Sequence, residues 1–253
     1  MRFVFCCAVF GFFLLTEVAA CVPDTLYWES GRLKSIGCLN ADSTAEGYWK
    51  MYRDGLGDAT LINGVYTNLP PLDSAGTFSK GIQEGYWEIY DYWRTLSSAG
   101  VYRHGVREGQ WLDIGWRGIY DHGYKEGRWV YYGPVGNGDS LLFNEINYKR
   151  GLPHGIARAY YANGKMKFYC EYVDGLAHGK ASIWNFEGVL IEEGQFSNGE
   201  MNGVWNYYDP VTGKLSSSGK YLHDEKDDVW TYYNESGKVI RKECYNAGKL
   251  CGS

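Results

Sequence analysis

Beyond residue 20 the sequence lacks any long run in which apolar residues recur at three- and four-residue spacing. Helix is therefore limited to a minor component at most. An excess of basic charge is also missing. At a formal net charge of −5 the chain has no electrostatic reason to approach phosphate backbones or anionic lipid, so nucleic-acid binding is disfavoured. Lys50, Arg53, Lys80, Arg103 and Arg107 are scattered among acids, as on a mixed, solvated surface. No Gly-x-Ser-x-Gly, His-Glu-x-x-His or phosphate-cradling loop occurs, and the run from Gly133 to Gly138 reads as a long turn.

What the chain has in abundance is Trp, Tyr and Phe, 17% together, beside 34 glycines. Aromatics fill a half-buried sheet face, and glycine supplies the positive φ angles of tight turns. The expected class is all-β.

The first 20 residues read as an address. Arg2 precedes an apolar stretch from Phe3 to Leu15, followed by Thr16, Glu17, Val18, Ala19, Ala20 and Cys21, the layout of a secretory signal. The stretch is shorter than the roughly 20 residues a helix needs to span a bilayer, so cleavage is expected. Two cut patterns stay open. The small residues at 18–20 suit a general signal peptidase, while Val-Ala-Ala-Cys resembles the bacterial lipobox, which implies that Cys21 is lipidated and becomes the N-terminus. A cysteine directly after the best cut site favours the lipobox. Removal of residues 1–20 discards Cys6 and Cys7. Cys244 and Cys251 flank a segment that reads as a hairpin turn, so a disulfide between them is expected in an oxidising compartment.

Self-similarity is the most informative feature. The strings EGYWKMY, EGYWEIY, EGQWLDI, EGRWVYY, HGIARAY, HGKASIW, NGVWNYY and DDVWTYY align without internal gaps. Their second residue, the marker, is Gly47, Gly85, Gly109, Gly127, Gly155, Gly179, Gly203 and Asp228, and a further copy begins at Gly252. The underlying period is about 24 residues. An aromatic stands seven residues before most markers and a glycine four before, as in Phe78 and Gly81 or Tyr102 and Gly105. Each unit thus reads as strand, glycine turn, strand and a second turn. Because side chains alternate across a strand, Trp49, Trp87, Trp111, Trp129, Trp205 and Trp230 should line one apolar face. Nine residues before the marker stand Gly76, Gly100, Gly118, Gly194 and Gly219, leaving room for a neighbouring indole. Cys38 and Cys170 share that spacing and read as small buried space-fillers.

This Tyr-x-x-Gly-x-x-x-Gly-x-Trp-x-x-Tyr unit resembles the MORN-type repeat, in the variant of bacterial YwqK-like antitoxin proteins, from about Tyr27 to Ser253. The resemblance implies an elongated, twisted antiparallel sheet of consecutive hairpins used as a binding or assembly surface, without a catalytic residue. The expected organisation is a signal peptide over 1–20 and about nine solenoid-like units over 21–253, with an insertion within 56–80. The copies at Gly155 and Gly179 depart from the pattern, carrying Ala157 and Ala181 for tryptophan. A groove or bend is expected there, and with Tyr160 and Trp184 it forms the candidate partner-binding region.

The repeat also absorbs the residues that suggest chemistry. His104, His122 and His223 lie five residues before a marker and His154 and His178 one before. Equivalent positions in neighbouring hairpins should lie about 10 Å apart, too far to share one zinc. Glu46, Glu84, Glu108 and Glu126, each one before a marker, read as turn chemistry rather than an acid/base pair. The expectation is a protein with no catalytic residue, metal or cofactor. It should be an exported scaffold, secreted or in a bacterial envelope, that binds a protein or glycan and meets the membrane only through a lipid on Cys21. An antitoxin or immunity protein and a membrane-lipid-binding module are the alternatives. The last unit stops part-way, leaving a strand edge open unless folded over or paired.

Overall fold

The computed structural model describes residues 22–30, 32–54, 60–62, 65–67, 71–134 and 139–251. The proposed signal segment, Cys21, Gly252 and residues 135–138 of the Gly133–Gly138 run lie outside the described residues. Among the described residues there is no helix. One 20-stranded antiparallel sheet dominates, in which successive strands pair, Glu200–Met201 and Gly203–Tyr208 both lying against Leu190–Ser197. It is open: nothing pairs the first strand, Val22–Tyr27, with the strands at the other end, Val239–Asn246 and Lys249–Leu250. The insertion stands apart as a small hairpin, Thr60–Ile62 against Val65–Thr67.

Two turn types alternate along the chain. Strands Leu72–Ser79 and Ile82–Tyr90 are joined by Lys80 and Gly81, both left-handed at φ 51° and 77°. Such a two-residue type I′ turn matches the twist of the strands it joins. His104, His122 and His223 hold the same first turn position, at φ 50°, 49° and 52°. At the opposite edge longer turns close on a side chain: Asp91 Oδ1 accepts the backbone N–H groups of Trp93 and Thr95, each at 2.8 Å. Asn234 does the same for Ser236 and Lys238, an arrangement that favours Asp and Asn at such corners.

The marker glycine has a separate task. In Ile82–Tyr90 it is Gly85, at φ 70°, and the pairing register slips beside it, between Gly76 and Thr77 of the neighbouring strand. This is a β-bulge, which leaves a backbone group out of the ladder. The Thr77 carbonyl takes instead a hydrogen bond from Trp87 Nε1 at 3.0 Å. The same bond recurs from Trp111 to Val101, from Trp129 to Ile119, from Trp205 to Gln195 and from Trp230 to Lys220, at 3.0–3.1 Å. Asp228 can replace glycine at the marker because a short polar side chain tolerates the left-handed region.

Each indole lies flat on a glycine of the preceding strand. A Cβ added to Gly76 would sit 2.1 Å from Trp87 Cδ2, and one on Gly219 2.2 Å from the same atom of Trp230. Flanking rings meet the indoles edge-on, with Phe78 and Tyr102 centroids 4.9 and 6.1 Å from Trp87. Arg107, Lys125 and Lys226 close over Trp111, Trp129 and Trp230 at 4.5, 4.3 and 4.2 Å. A single sheet layer thereby buries Trp87 and Trp129 completely. The edge-to-face ladder runs from Trp49 to Tyr148 and again from Phe196 to Trp230.

Two expectations change. The glycine beneath Trp49 is Gly37, not Cys38. A longer turn over 40–44 replaces the two-residue turn and shifts the spacing by one. The interrupted stretch, moreover, is filled rather than hollow. Ile146 stands opposite Ala157 and Cys170 opposite Ala181, so volume lost from the indole position is restored where glycine stood. Ala157, Cys170 and Ala181 are all buried.

Candidate binding surface

The four residues expected to receive a partner do not form a site. Ala157 and Ala181 are core residues, Tyr160 and Trp184 are half-buried, and the Trp184 carbonyl accepts the Tyr161 hydroxyl at 2.8 Å. A shallow cavity of about 300 Å³ beside Ala181 is lined by residues such as Lys180, Glu193 and Asn206, and by none of the other three.

The recurrent glutamates lace the type I′ turns together. Glu46, Glu84, Glu108 and Glu126 each accept the first N–H of the next hairpin's turn, at Lys80, His104, His122 and Arg150, over 2.8–3.0 Å. His154 and His178 replace them in later units, taking the N–H of Asp174 and Asn198 on Nδ1 at 3.4 Å. Each turn glycine also donates to the carbonyl two residues before the preceding marker, as Gly105 does to Gln83 at 3.0 Å. Glu108, Asp121 and His122 bring ligand-type atoms within 4.8 Å of one another. A hydrogen bond to Asp121, with the charges of Asp121 and Glu108, pushes the His122 pKa up. The group is thus disposed as an ion pair on an exposed turn.

This laced edge carries a row that the sequence reading passed over. Ile82, Val106, Tyr124, Leu152 and Leu176 each follow a turn glycine and are 44–58% exposed. Each also packs on the next hairpin's turn glycine, as Val106 Cβ does at 3.7 Å from the Cβ position of Gly123. Exposed Lys80, Arg103, Lys149 and Arg150 alternate beside the row with exposed Asp121 and Asp174. The signal was present in sequence: the residue three before the marker is apolar in five consecutive units, then becomes Glu200 and Glu225.

Two charged clusters were also missed, and both are saturated. Asp113 takes the place held by Ile89 and Tyr131 in other units. It accepts Ser98 Oγ at 3.1 Å and Tyr120 Oη at 2.9 Å, with Arg107 at 3.2 Å. Burial alone would raise its pKa, but these partners outweigh it and hold the carboxyl below its ordinary value. Glu145, 4% exposed on the other face, is clamped by Arg158 and by Arg128 at 2.7 Å. Again desolvation is outweighed by the two guanidinium groups, and its pKa is lowered.

Cys244 and Cys251 form a disulfide, with Cα atoms 5.3 Å apart. Cys38 is disulfide-bonded too, to a partner outside the described residues, which replaces its reading as a space-filler. Cys170 keeps that reading, as a free, buried thiol. Were residues 1–20 cleaved, Cys21 would be the one other cysteine left. A thioether on Cys21 and a disulfide at Cys38 then exclude each other.

Neither a family model nor a curated protein matches the chain.

Proposed function

We propose that the protein is a non-enzymatic, exported repeat scaffold of MORN type that holds a protein partner along the type I′ turn edge of its sheet. The observation that carries this reading is the uncovered apolar row Ile82, Val106, Tyr124, Leu152 and Leu176. Turns exposed at this density of apolar residues are unusual unless something docks on them. Lacing by the glutamates keeps the row rigid, so a partner binds without first ordering the loops.

Val106→Asp with Leu152→Asp should lower recovery of the crosslinked partner from cells at least about tenfold, as expected for central apolar anchors. Val211→Asp, in a long turn at the opposite edge of the sheet, should leave recovery unchanged. Equal recovery from both variants would remove the turn edge from this reading. Cosedimentation of the purified wild type with vesicles, lost in the first variant, would assign the edge to lipid instead.

The Cys38 disulfide favours a secreted form over a lipid-anchored one. Intact-mass measurement of the exported chain, alkylated in denaturant without reduction, should show a single free thiol and no acyl adduct. An acyl adduct with Cys38 alkylated would restore the lipid anchor on Cys21.

A further inference from the structure

The long-turn edge of the sheet is tied together by side-chain amides. Asn185 heads one of its turns. Its Oδ1 accepts the Val189 N–H at 2.8 Å, and its Nδ2 donates to the Pro210 carbonyl of the next turn at 2.6 Å. Asn163 likewise donates from Nδ2 to the Phe186 carbonyl at 2.7 Å. A bulky substituent on either nitrogen would collide with the turn to which it is bonded.

Asn234 heads the last such turn among the described residues, closed by the same backbone hydrogen bonds as the turn of Asn185. Its Oδ1 takes the Ser236 N–H at 3.1 Å, the Lys238 N–H at 2.9 Å and the Ser236 hydroxyl at 2.7 Å. An amide nitrogen cannot accept, so these donors fix the oxygen inward and Nδ2 outward. With no later turn on this edge, Nδ2 has no acceptor among the described residues. Residues 234–238 are all exposed, and Lys214 Nζ braces the turn from its inner side through the Glu235 carbonyl at 2.7 Å. A primary amide is thus presented to solvent on a fixed turn with its nitrogen uncommitted.

The sequence points to the same residue independently. Asn-Glu-Ser at 234–236 is the one place in the chain where an asparagine is followed two residues later by Ser or Thr. Such a triplet, with a residue other than proline in the middle, is the acceptor for N-linked glycosylation of exported chains. The fold does not require the serine. In the turn of Asn185 the corresponding residue is Glu187, and that turn closes on the same backbone hydrogen bonds without a hydroxyl.

We infer that Asn234 is an N-glycosylation site. The co-reactant is an oligosaccharide joined through pyrophosphate to a lipid and delivered by a transferase of the export pathway. Asn234 Nδ2 forms a bond to C1 of the first sugar, the C1–O bond breaks with its electron pair leaving on the lipid pyrophosphate, and Nδ2 gives up one proton. The fold loses no hydrogen bond by it. The glycan stands on the long-turn edge, away from the apolar row of the type I′ turns, where the chain enters Val239–Asn246. The outer edge of that strand is uncovered from Val239 to Glu243 among the described residues, and a bulky hydrated chain beside it obstructs the addition of a further strand.

Glycosylation rests on the export proposed above, so location and mass are read separately. The full chain, with residues 1–20, is produced in cells whose secretory pathway glycosylates Asn-x-Ser/Thr. Wild type, Ser236→Ala and Ser236→Thr are compared by intact mass in medium and cell fractions. Wild type is expected in the medium, heavier by one oligosaccharide that a peptide:N-glycosidase removes, leaving a carboxylate at position 234. Ser236→Ala should reach the medium without that mass, and Ser236→Thr should keep it. Peptide mapping of the wild type places the glycan without relying on any variant. Wild type in the medium with an unmodified Asn234 would overturn the inference and leave export standing. A glycan retained in Ser236→Ala would overturn it too. Wild type confined to the cells with residues 1–20 uncleaved would overturn export, and the glycosylation of Asn234 with it.

Discussion

Trp87→Ala is expected to destabilise the array by about 3–5 kcal/mol and Gly76→Cys by about 3 kcal/mol, whereas the double variant should lose much less than the sum. The alanine change empties a fully buried site and orphans the Thr77 carbonyl. The cysteine change forces a side chain into space where a Cβ already meets the indole at 2.1 Å. Together they recreate an arrangement the protein already uses, since Cys170 stands opposite Ala181 in a buried cluster. Residues sharing one volume couple non-additively. Urea unfolding of the three variants, followed by circular dichroism, checks the cycle. Strictly additive losses would show that glycine and indole do not share that space.

The second large effect concerns Glu145, whose carboxylate is buried between two arginines with partly exposed side chains. Glu145→Gln should cost about 2 kcal/mol at pH 7, below the usual loss for a broken buried pair, because Arg128 and Arg158 can turn towards solvent. The pH dependence has a definite sign. Its folded-state pKa lies below the ordinary value, so its contribution is complete above the unfolded pKa of about 4.3 and is lost as pH falls through the folded pKa. The difference in stability between wild type and Glu145→Gln should therefore be constant above about pH 5 and shrink below about pH 4. A difference that grows on acidification would mean that the carboxylate is not stabilised by its arginines. Asp113 is depressed in the same direction, and comparison with the variant cancels its share.

How much of the site was legible in advance divides along the same line as these two predictions. The indole positions, the glycines beneath most of them and the turn histidines all follow from spacing within one unit. Asp113 and Glu145 did not, because a charged residue in an apolar phase gives no sign of its partners until the strands are paired. The exposed row from Ile82 to Leu176 was visible as a phase, but an apolar residue beside a turn glycine does not declare from sequence whether it is covered.

The sequence by itself determined the all-β class, the hairpin as the unit and the face on which tryptophan lies, because alternation along a strand and positive φ at turns are local requirements. Tertiary structure alone decided that Gly37 rather than Cys38 lies under Trp49, since a longer turn shifts the phase. It also decided that Ile146 and Cys170 fill the place of the missing indoles. Register across strands sums the lengths of all intervening turns, and complementary volume exists only between residues that register brings opposite each other.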